Sequence, residues 1–533
     1  MRRLFILIIT LSVLSATKLL AQNLPFLNYE SLDVNNIKAT MLVQGDMWNI
    51  PYYEPICAID SVLTSNPACE FPKGSGKNIM SAGSLWLAGY DGGHTLHVAA
   101  QTYRQDGNDY WPGPLDGIDT ISYSNSQKWA KIWKVSYTDI QNFSSQNVHT
   151  LANIPDAILK WPAKGNPYAT GNNNVHLTIV NDMAPFIDAN NDGVYNPLDG
   201  DFPDIKGDQM LWWVYNDYCL PHYQSQTPAL QVEVHAMAYA YHRNNLLDNV
   251  IFYQTEITNK SSITYDSFRI ARFADEDIGT SWDDNIGYDS AHRMAIAYNQ
   301  HDTDAIYGVN TPIVGVSFIR LPEDIDNNLQ PVANMIYYIN DFDITGNPRN
   351  GYQINNYMHG KALNDSMMTS PYMTQALAEC NTFPPVMYDK RIVMTSSDMT
   401  FIPGETKTVV EALITVNPDS NNRCPSITTD AINEVADSAW NAYMHPPTQS
   451  YTIPVSANTN VGFYPNPAQT TIIFYNVGAN DDIALYDIVG KTIIKTSGSN
   501  RSLNISLLPS GNYMIRITKP DGSSKTNLKM TKL

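Results

Sequence analysis

Apolar residues recur along this chain in short runs, many with a period of two, broken by clusters of Gly, Pro, Asn and Asp. That is the pattern of half-buried β-strands separated by turns. Lys38–Val43, Ser84–Gly89, Thr95–Ala100 and Val250–Ile257 each read as a strand. The longest alternation is Gln231–Tyr241. It puts Val232, Val234, Ala236, Ala238 and Ala240 on one face and Glu233, His235, Met237, Tyr239 and Tyr241 on the other. Helical spacing is scarce. Ile432, Val435, Ala436 and Trp440 share one face of a helix expected over 428–443, capped by Thr429 or Asp430. A shorter helix is expected within 144–158. The last stretch carries five more β-type runs: Thr471–Tyr475, Ile483–Tyr486, Thr492–Ile494, Leu503–Ile505 and Tyr513–Ile517. The expected fold is mainly β, a multi-unit, β-sandwich-like body with a loop-rich insertion. A small immunoglobulin-like β-sandwich follows it.

Composition supports a secreted β protein: 32 Tyr, 32 Pro and 29 Gly, with only 16% charged residues. The formal net charge of −19 excludes nucleic acid and anionic membrane as partners and favours divalent cations. Met1-Arg2-Arg3 followed by Leu4–Ile9 reads as the basic and apolar parts of a signal peptide over 1–21, cut after Ala21. No other segment approaches a membrane span, so none is expected in the mature chain. The punctuation divides the rest into a β-rich unit (23–121), a loop-rich unit (122–217), a second β-rich unit (218–444), a linker (446–460) and a terminal module (461–533). Five cysteines lack paired spacing, which argues against a zinc ribbon. Bridges Cys57–Cys69 and Cys380–Cys424 suit an oxidising compartment, leaving Cys219 as a small buried hydrophobe.

The terminal module is set apart by charge, with eight Lys and Arg against four Asp. Its blocks are Phe463-Tyr464-Pro465-Asn466-Pro467, Ile483–Lys491, Leu508–Ile517 and the lysine-rich Lys525–Leu533. In that order they resemble the type A C-terminal sorting domain of type IX secretion cargo. The resemblance implies passage through the periplasm, recognition of residues 461–533 by the secretion machinery, and release or attachment at the outer-membrane surface. It also implies loss of the tail by cleavage in the linker. Gly83–Gly89, Ala99–Gln105, Asp109–Pro114 and Gly207–Trp213 together resemble large secreted proteins with the same tail, which supports the address and adds no chemistry.

One segment has metal-ligand spacing. Asp188, Asn190 and Asp192 stand at positions one, three and five of a loop, Gly193 at six, Val194 at seven, Asn196 at nine and Asp199 at twelve. Calcium needs six to eight oxygens, and alternate positions of a tight loop supply them. The segment resembles the calcium loops of dockerin and thrombospondin type-3 repeats, with Pro197 standing where an EF-hand would begin a helix. Calcium there is expected to be structural. A second acidic run holds Asp275, Glu276, Asp277, Asp283, Asp284 and Asp289. Asp275, Asp277, Asp283 and Asp284 are candidate ligands of a second cation. The alternatives are a solvated loop or a carboxylate pair for glycoside hydrolysis. No nucleophile elbow, His-Glu-x-x-His or phosphate loop is present, so no catalytic residue is assigned. Glu233 and His235 share a strand face and read as a satisfied contact. The expectation is a calcium-stabilised, non-enzymatic binding, adhesion or surface protein with a glycan or surface ligand. The alternative is a secreted polysaccharide hydrolase. Trp111, Trp129, Trp133 and Trp161 would serve either as sugar platforms if exposed, or the first as plain core.

Overall fold

The computed structural model describes residues 28–49, 68–102, 108–115, 121–146, 148–301, 303–325, 328–341, 343–368, 377–381, 388–417, 427–447, 462–464, 467–475, 477–500, 502–520, 522 and 525–533. The signal peptide, Cys57, Cys424 and most of the 446–460 linker lie outside them. The chain forms two compact units. One comprises the described residues of Met1–Phe143, Pro155–Phe186 and Pro203–Tyr451. The other comprises Ser144–Ile154, Ile187–Phe202 and Thr452–Leu533.

The larger unit is built on two antiparallel sheets. In the wider one, the strands Asp284–Asp289, Met294–Asn299, Ile313–Arg320, Thr406–Val416, Val250–Asn259, Val232–Ala240, Gln209–Asn216 and Trp111–Pro112 lie side by side. Trp133–Ser136 also pairs with Gln209–Asn216. The narrower sheet runs Asn334–Ile339, Lys390–Thr395, Tyr265–Glu276, Met80–Tyr90 and Leu96–Ala99, with Met399–Phe401 also on Tyr265–Glu276. The wide sheet mixes strands from the 23–121, 122–217 and 218–444 segments, and the narrow one from the first and last of these. The inner faces meet in one apolar core holding Leu85, Leu87, Ile270 and Ala274 from the narrow sheet and Val234, Ala236, Ile251 and Leu413 from the wide one.

The outer faces are covered too. Helix Asp430–Met444 lies against the wide sheet and buries Ile432, Val435, Ala436 and Ala439. Helix Gly351–Met358 covers the narrow sheet, where Trp86, Phe273, Tyr338 and Tyr357 form an aromatic stack with neighbouring ring centres 5.2, 6.1 and 4.9 Å apart. Strands buried on both faces need apolar residues on both. This explains the continuous run Met210–Tyr215. It also explains why Glu233, Met237, Tyr239 and Tyr241, the expected outer face of Val232–Ala240, are buried.

Two expectations are corrected. The short helix expected within 144–158 is replaced by helices Tyr137–Ser144 and Asp156–Leu159 on either side of most of that span. Pro155 supplies the break, since it restricts the residue before it. The Cys57–Cys69 bridge does not form: Cys69 is a buried free thiol, pushed well up by desolvation. Cys380 is in a disulfide whose partner lies outside the described residues, and Cys219 is a free thiol.

In the smaller unit, the described tail residues form two sheets. Gly462–Tyr464, Thr471–Tyr475 and Ser502–Asn504 make one, and Thr492–Ser497, Asp482–Tyr486, Gly511–Thr518 and Lys525–Lys532 the other. Ile472, Phe474, Ile483, Leu485, Ile515, Ile517 and Met530 fill the core between them. Gly462–Tyr464 is an edge strand, as the flanking prolines require. The lysine-rich end is itself a strand, paired along its length with Gly511–Thr518. Its Met530 points inward while Asn527 and Lys529 face solvent, and edge lysines discourage pairing with other chains.

Candidate metal centres

The 188–199 loop turns because Asn191 and Gly193 both take left-handed backbone, at φ 58° and 81°. That turn lets the Asp188 carboxylate accept the N–H groups of Asp192 (3.3 Å) and Gly193 (2.8 Å). Asn190 Oδ1 accepts Asp192 N–H at 3.1 Å, and Asn190 Nδ2 donates to Asp192 Oδ2 at 2.9 Å. Asp192 Oδ1 accepts Val194 N–H at 2.9 Å. Positions one, three, five and seven are thus joined in one network. Asn196 forms a second group, donating to Asp199 Oδ2 at 2.7 Å while its own Oδ1 accepts Leu198 N–H at 3.2 Å.

Asp201, which the spacing argument passed over, ties the loop closed. Its carboxylate accepts Ala189 N–H (2.8 Å) and Asn196 N–H (2.7 Å), and the residue is fully buried. Burial pushes its pKa up to about 7, and the nearby Asp188 and Asp192 add to the rise. The donor set is all oxygen, with four carboxylates within fourteen residues, and suits a hard divalent cation. The sequence signal available for Asp201 is one more acid just after Asp199.

The second acidic run separates by strand geometry. Tyr265–Glu276 pairs with Lys390–Thr395 through Ala274 opposite Ile392. Continuing that register puts Asp275 opposite Arg391 and Asp277 opposite Asp389. Among the described residues, these three aspartates alone place ligand atoms of three acidic, His or Cys side chains within 4.8 Å of one another. The loop carboxylates are not gathered so closely. Arg391 Nε lies 3.2 Å from Asp275 Oδ2, and its Nη2 lies 3.7 Å from Asp389 Oδ2. Asn340 donates to Asp389 Oδ2 at 2.8 Å, and Ser81 Oγ donates to Asp277 Oδ2. Ser81 reaches it because the Met80–Tyr90 strand shifts register there. The buried Asp277 Oδ1 and Asp389 Oδ1 have no hydrogen-bond donor. Three carboxylates thus face one guanidinium. Desolvation, and Asp275 after it, push the Asp277 carboxyl well up.

Asp283 and Asp284 stand apart from this group. Asp284 Oδ2 accepts Ile278 N–H at 2.9 Å, while its backbone carbonyl accepts Lys390 Nζ at 2.6 Å. Asp283 is raised by burial and by Asp304. Asp289 binds His292 Nδ1 at 2.8 Å, and His292 Nε2 reaches Asp437 at 3.2 Å. Glu276 is buried with neither carboxylate oxygen hydrogen-bonded, and desolvation and Asp275 push it well up. The place of Asp389 could not be read beforehand: it lies 112 positions from Asp277, and only strand pairing brings them together.

Of the four tryptophans offered as sugar platforms, three are core. Trp111, Trp133 and Trp161 are buried and Trp129 is half-buried. Trp133 and Trp161 both pack on Trp212, at 5.8 and 6.5 Å between ring centres. Glu233 and His235 make a 3.0 Å contact, with the second Glu233 oxygen held by Leu115 N–H at 2.7 Å. A cavity of about 260 Å³ between Lys206, Tyr239, Tyr241, Tyr443 and Pro446 holds none of the carboxylates above.

Residues 462–530 match the family model of the secretion system C-terminal sorting domain. The chain is therefore cargo of the type IX secretion system, addressed by its tail to that machinery, and is a secreted or cell-surface protein. No helix among the described residues is long and apolar enough to cross a membrane. No curated protein matches the sequence. A polysaccharide lyase aligns over 56% of this chain and 34% of its own, at 9% identity and a TM-score of 0.20. A heparinase III gene product aligns over 62% and 27%, at 8% identity and a TM-score of 0.19. PorZ, a surface component of the type-IX secretion system of Porphyromonas gingivalis, aligns over 95% and 75%, at 8% identity and a TM-score of 0.13. This chain thus spans about a third of the lyase and about a quarter of the heparinase. Scores this low do not describe a shared fold.

Proposed function

We propose that the exported body is a non-enzymatic binding or surface protein stabilised by calcium. The observation that carries this reading is the approach of Asp275, Asp277 and Asp389 to within 4.8 Å, with Arg391 as their facing cation among the described residues. Like charges at that distance, with Asp275 buried and Asp277 and Asp389 half-buried, call for a proton or a cation. Calcium would be held there by the three carboxylates, and in the loop by Asp188, Asn190, Asp192, Val194, Asn196 and Asp199. A hydrolase is less well served. A glycosidase needs two carboxyl groups facing a cleft that admits the sugar, about 5–5.5 Å apart when it retains configuration and about 6.5–9.5 Å when it inverts. Here an arginine and an asparagine hold two of the three carboxylates, and Ser81 donates to the third.

Unfolding with and without calcium tests this. A ligand binding only the folded state at about 100 times its dissociation constant adds about 2.7 kcal/mol. Chelator should lower the unfolding midpoint accordingly. Asp192→Ala should remove the loop's share of that sensitivity. Asp277→Asn should lower stability in calcium and change it little without. A midpoint indifferent to chelator in the wild type would end the calcium reading at both centres. Screening the purified body against a glycan array, alongside polysaccharide cleavage, separates binding from hydrolysis. Turnover abolished by Asp277→Asn would replace this proposal with the hydrolase.

A further inference from the structure

His222 lies in the connection between strands Gln209–Asn216 and Val232–Ala240, with a side chain fully removed from solvent. Its Nδ1 is 2.7 Å from the backbone oxygen of Val98, in the narrow sheet, and its Nε2 is 2.7 Å from that of Asp217. A carbonyl oxygen carries no hydrogen, so each contact requires the proton to sit on the ring nitrogen. Ser225 Oγ, 3.3 Å from Nδ1, itself donates to Val98 O at 2.9 Å.

We propose that His222 is held as an imidazolium in the folded protein and pins the 217–232 connection to the narrow sheet, a latch that loosens when the ring loses a proton. Two carboxylates face the ring, Asp109 Oδ2 at 3.8 Å and Asp217 Oδ2 at 3.5 Å. Asp109 accepts the N–H groups of Ala100, Gln224 and Ser225, and Asp217 those of Leu230 and Val232. Burial pushes both carboxyl groups up, while the His222 cation and the hydrogen bonds that they accept pull them down. The Trp111 ring lies 6.4 Å away. The phenols of Tyr110 and Tyr265 also face these carboxylates, with Asp46 and Tyr215 beyond Tyr110 and Asp91 and Tyr218 beside Tyr265, and burial keeps the Tyr110 and Tyr265 phenols protonated at neutral pH. Desolvation alone would lower the His222 pKa. Asp109, Asp217 and the two carbonyls outweigh it, and the net direction is up.

The sign follows. A pKa raised in the folded state gives stability that is complete below the unfolded value, about 6.5, and is lost as pH climbs through the folded value. The full-length protein with ¹⁵N-labelled histidine should show one ring with both N–H groups, slow to exchange, at pH 8. Ordinary histidines are neutral there. Above the folded pKa, each pH unit lowers the latched population about tenfold. Cleavage of the 217–232 connection by an alkaline-tolerant protease should rise in step, relative to cleavage elsewhere in the same chain. His222→Gln should lose the ring signal and the pH dependence of cleavage. If that variant does not fold, the wild-type spectrum still decides. Absence of any slowly exchanging, doubly protonated ring at pH 8 overturns the proposal, as does a connection equally resistant on both sides of the transition.

Discussion

Arg272→Ala is expected to destabilise the body by about 3–5 kcal/mol, because it strands a buried carboxylate. Arg272 projects from the narrow sheet and Glu411 from the wide one, and they meet inside the sandwich. Nε donates to Glu411 Oε1 at 2.8 Å, Nη2 donates to Oε2, and both side chains are 2% exposed. Nη1 lies 3.5 Å from Met47 Sδ. Desolvation opposes the charge on Arg272, but Glu411 overcomes it and raises the pKa. A typical domain is stable by about 5–15 kcal/mol, so the loss would be a large fraction of the total. Replacing both partners with apolar residues, Arg272→Met with Glu411→Leu, should recover most of it, since no unpaired charge remains. Urea unfolding at fixed calcium measures both variants. A single-variant loss below about 1 kcal/mol would mean that water reaches Glu411 and the pair is not truly desolvated.

Removing residues 462–533 should abolish delivery to the surface and medium and leave the protein in the periplasm. The tail carries the sorting-domain match and has its own core around Ile472, Phe474, Leu485 and Ile515. Cell fractionation followed by immunoblotting reads the result. Protease resistance of the periplasmic product checks that misfolding is not the cause of retention. Normal surface or medium levels of the truncated chain would show that a second address exists in the body.

Much of the fold was legible because local patterns and tertiary demands agreed. Alternation in Val232–Ala240 put Val234 and Ala236 in the core, and helical spacing found Ile432, Val435 and Ala436. The 144–158 helix failed because Pro155 outweighed a weak helical signal. The strand over Lys525–Lys532 was hidden by its lysines, of which Lys529 faces solvent while Met530 points inward. In the acidic run, adjacency in sequence grouped Asp275 and Asp277 with Asp283 and Asp284. The sheet instead grouped the first two with Asp389.

The sequence by itself determined the address, the mainly β architecture and the oxygen-rich loop. Each is written in neighbouring residues: blocks in fixed order, a period of two, ligands at alternate positions. Only the tertiary structure decided which charges share a site. Arg272 meets Glu411 across 139 positions, and Asp109 joins His222 across more than a hundred. The register of paired strands and the packing of one sheet on another set those distances, and burial then makes each pairing strong. Separation along the chain carries no record of either.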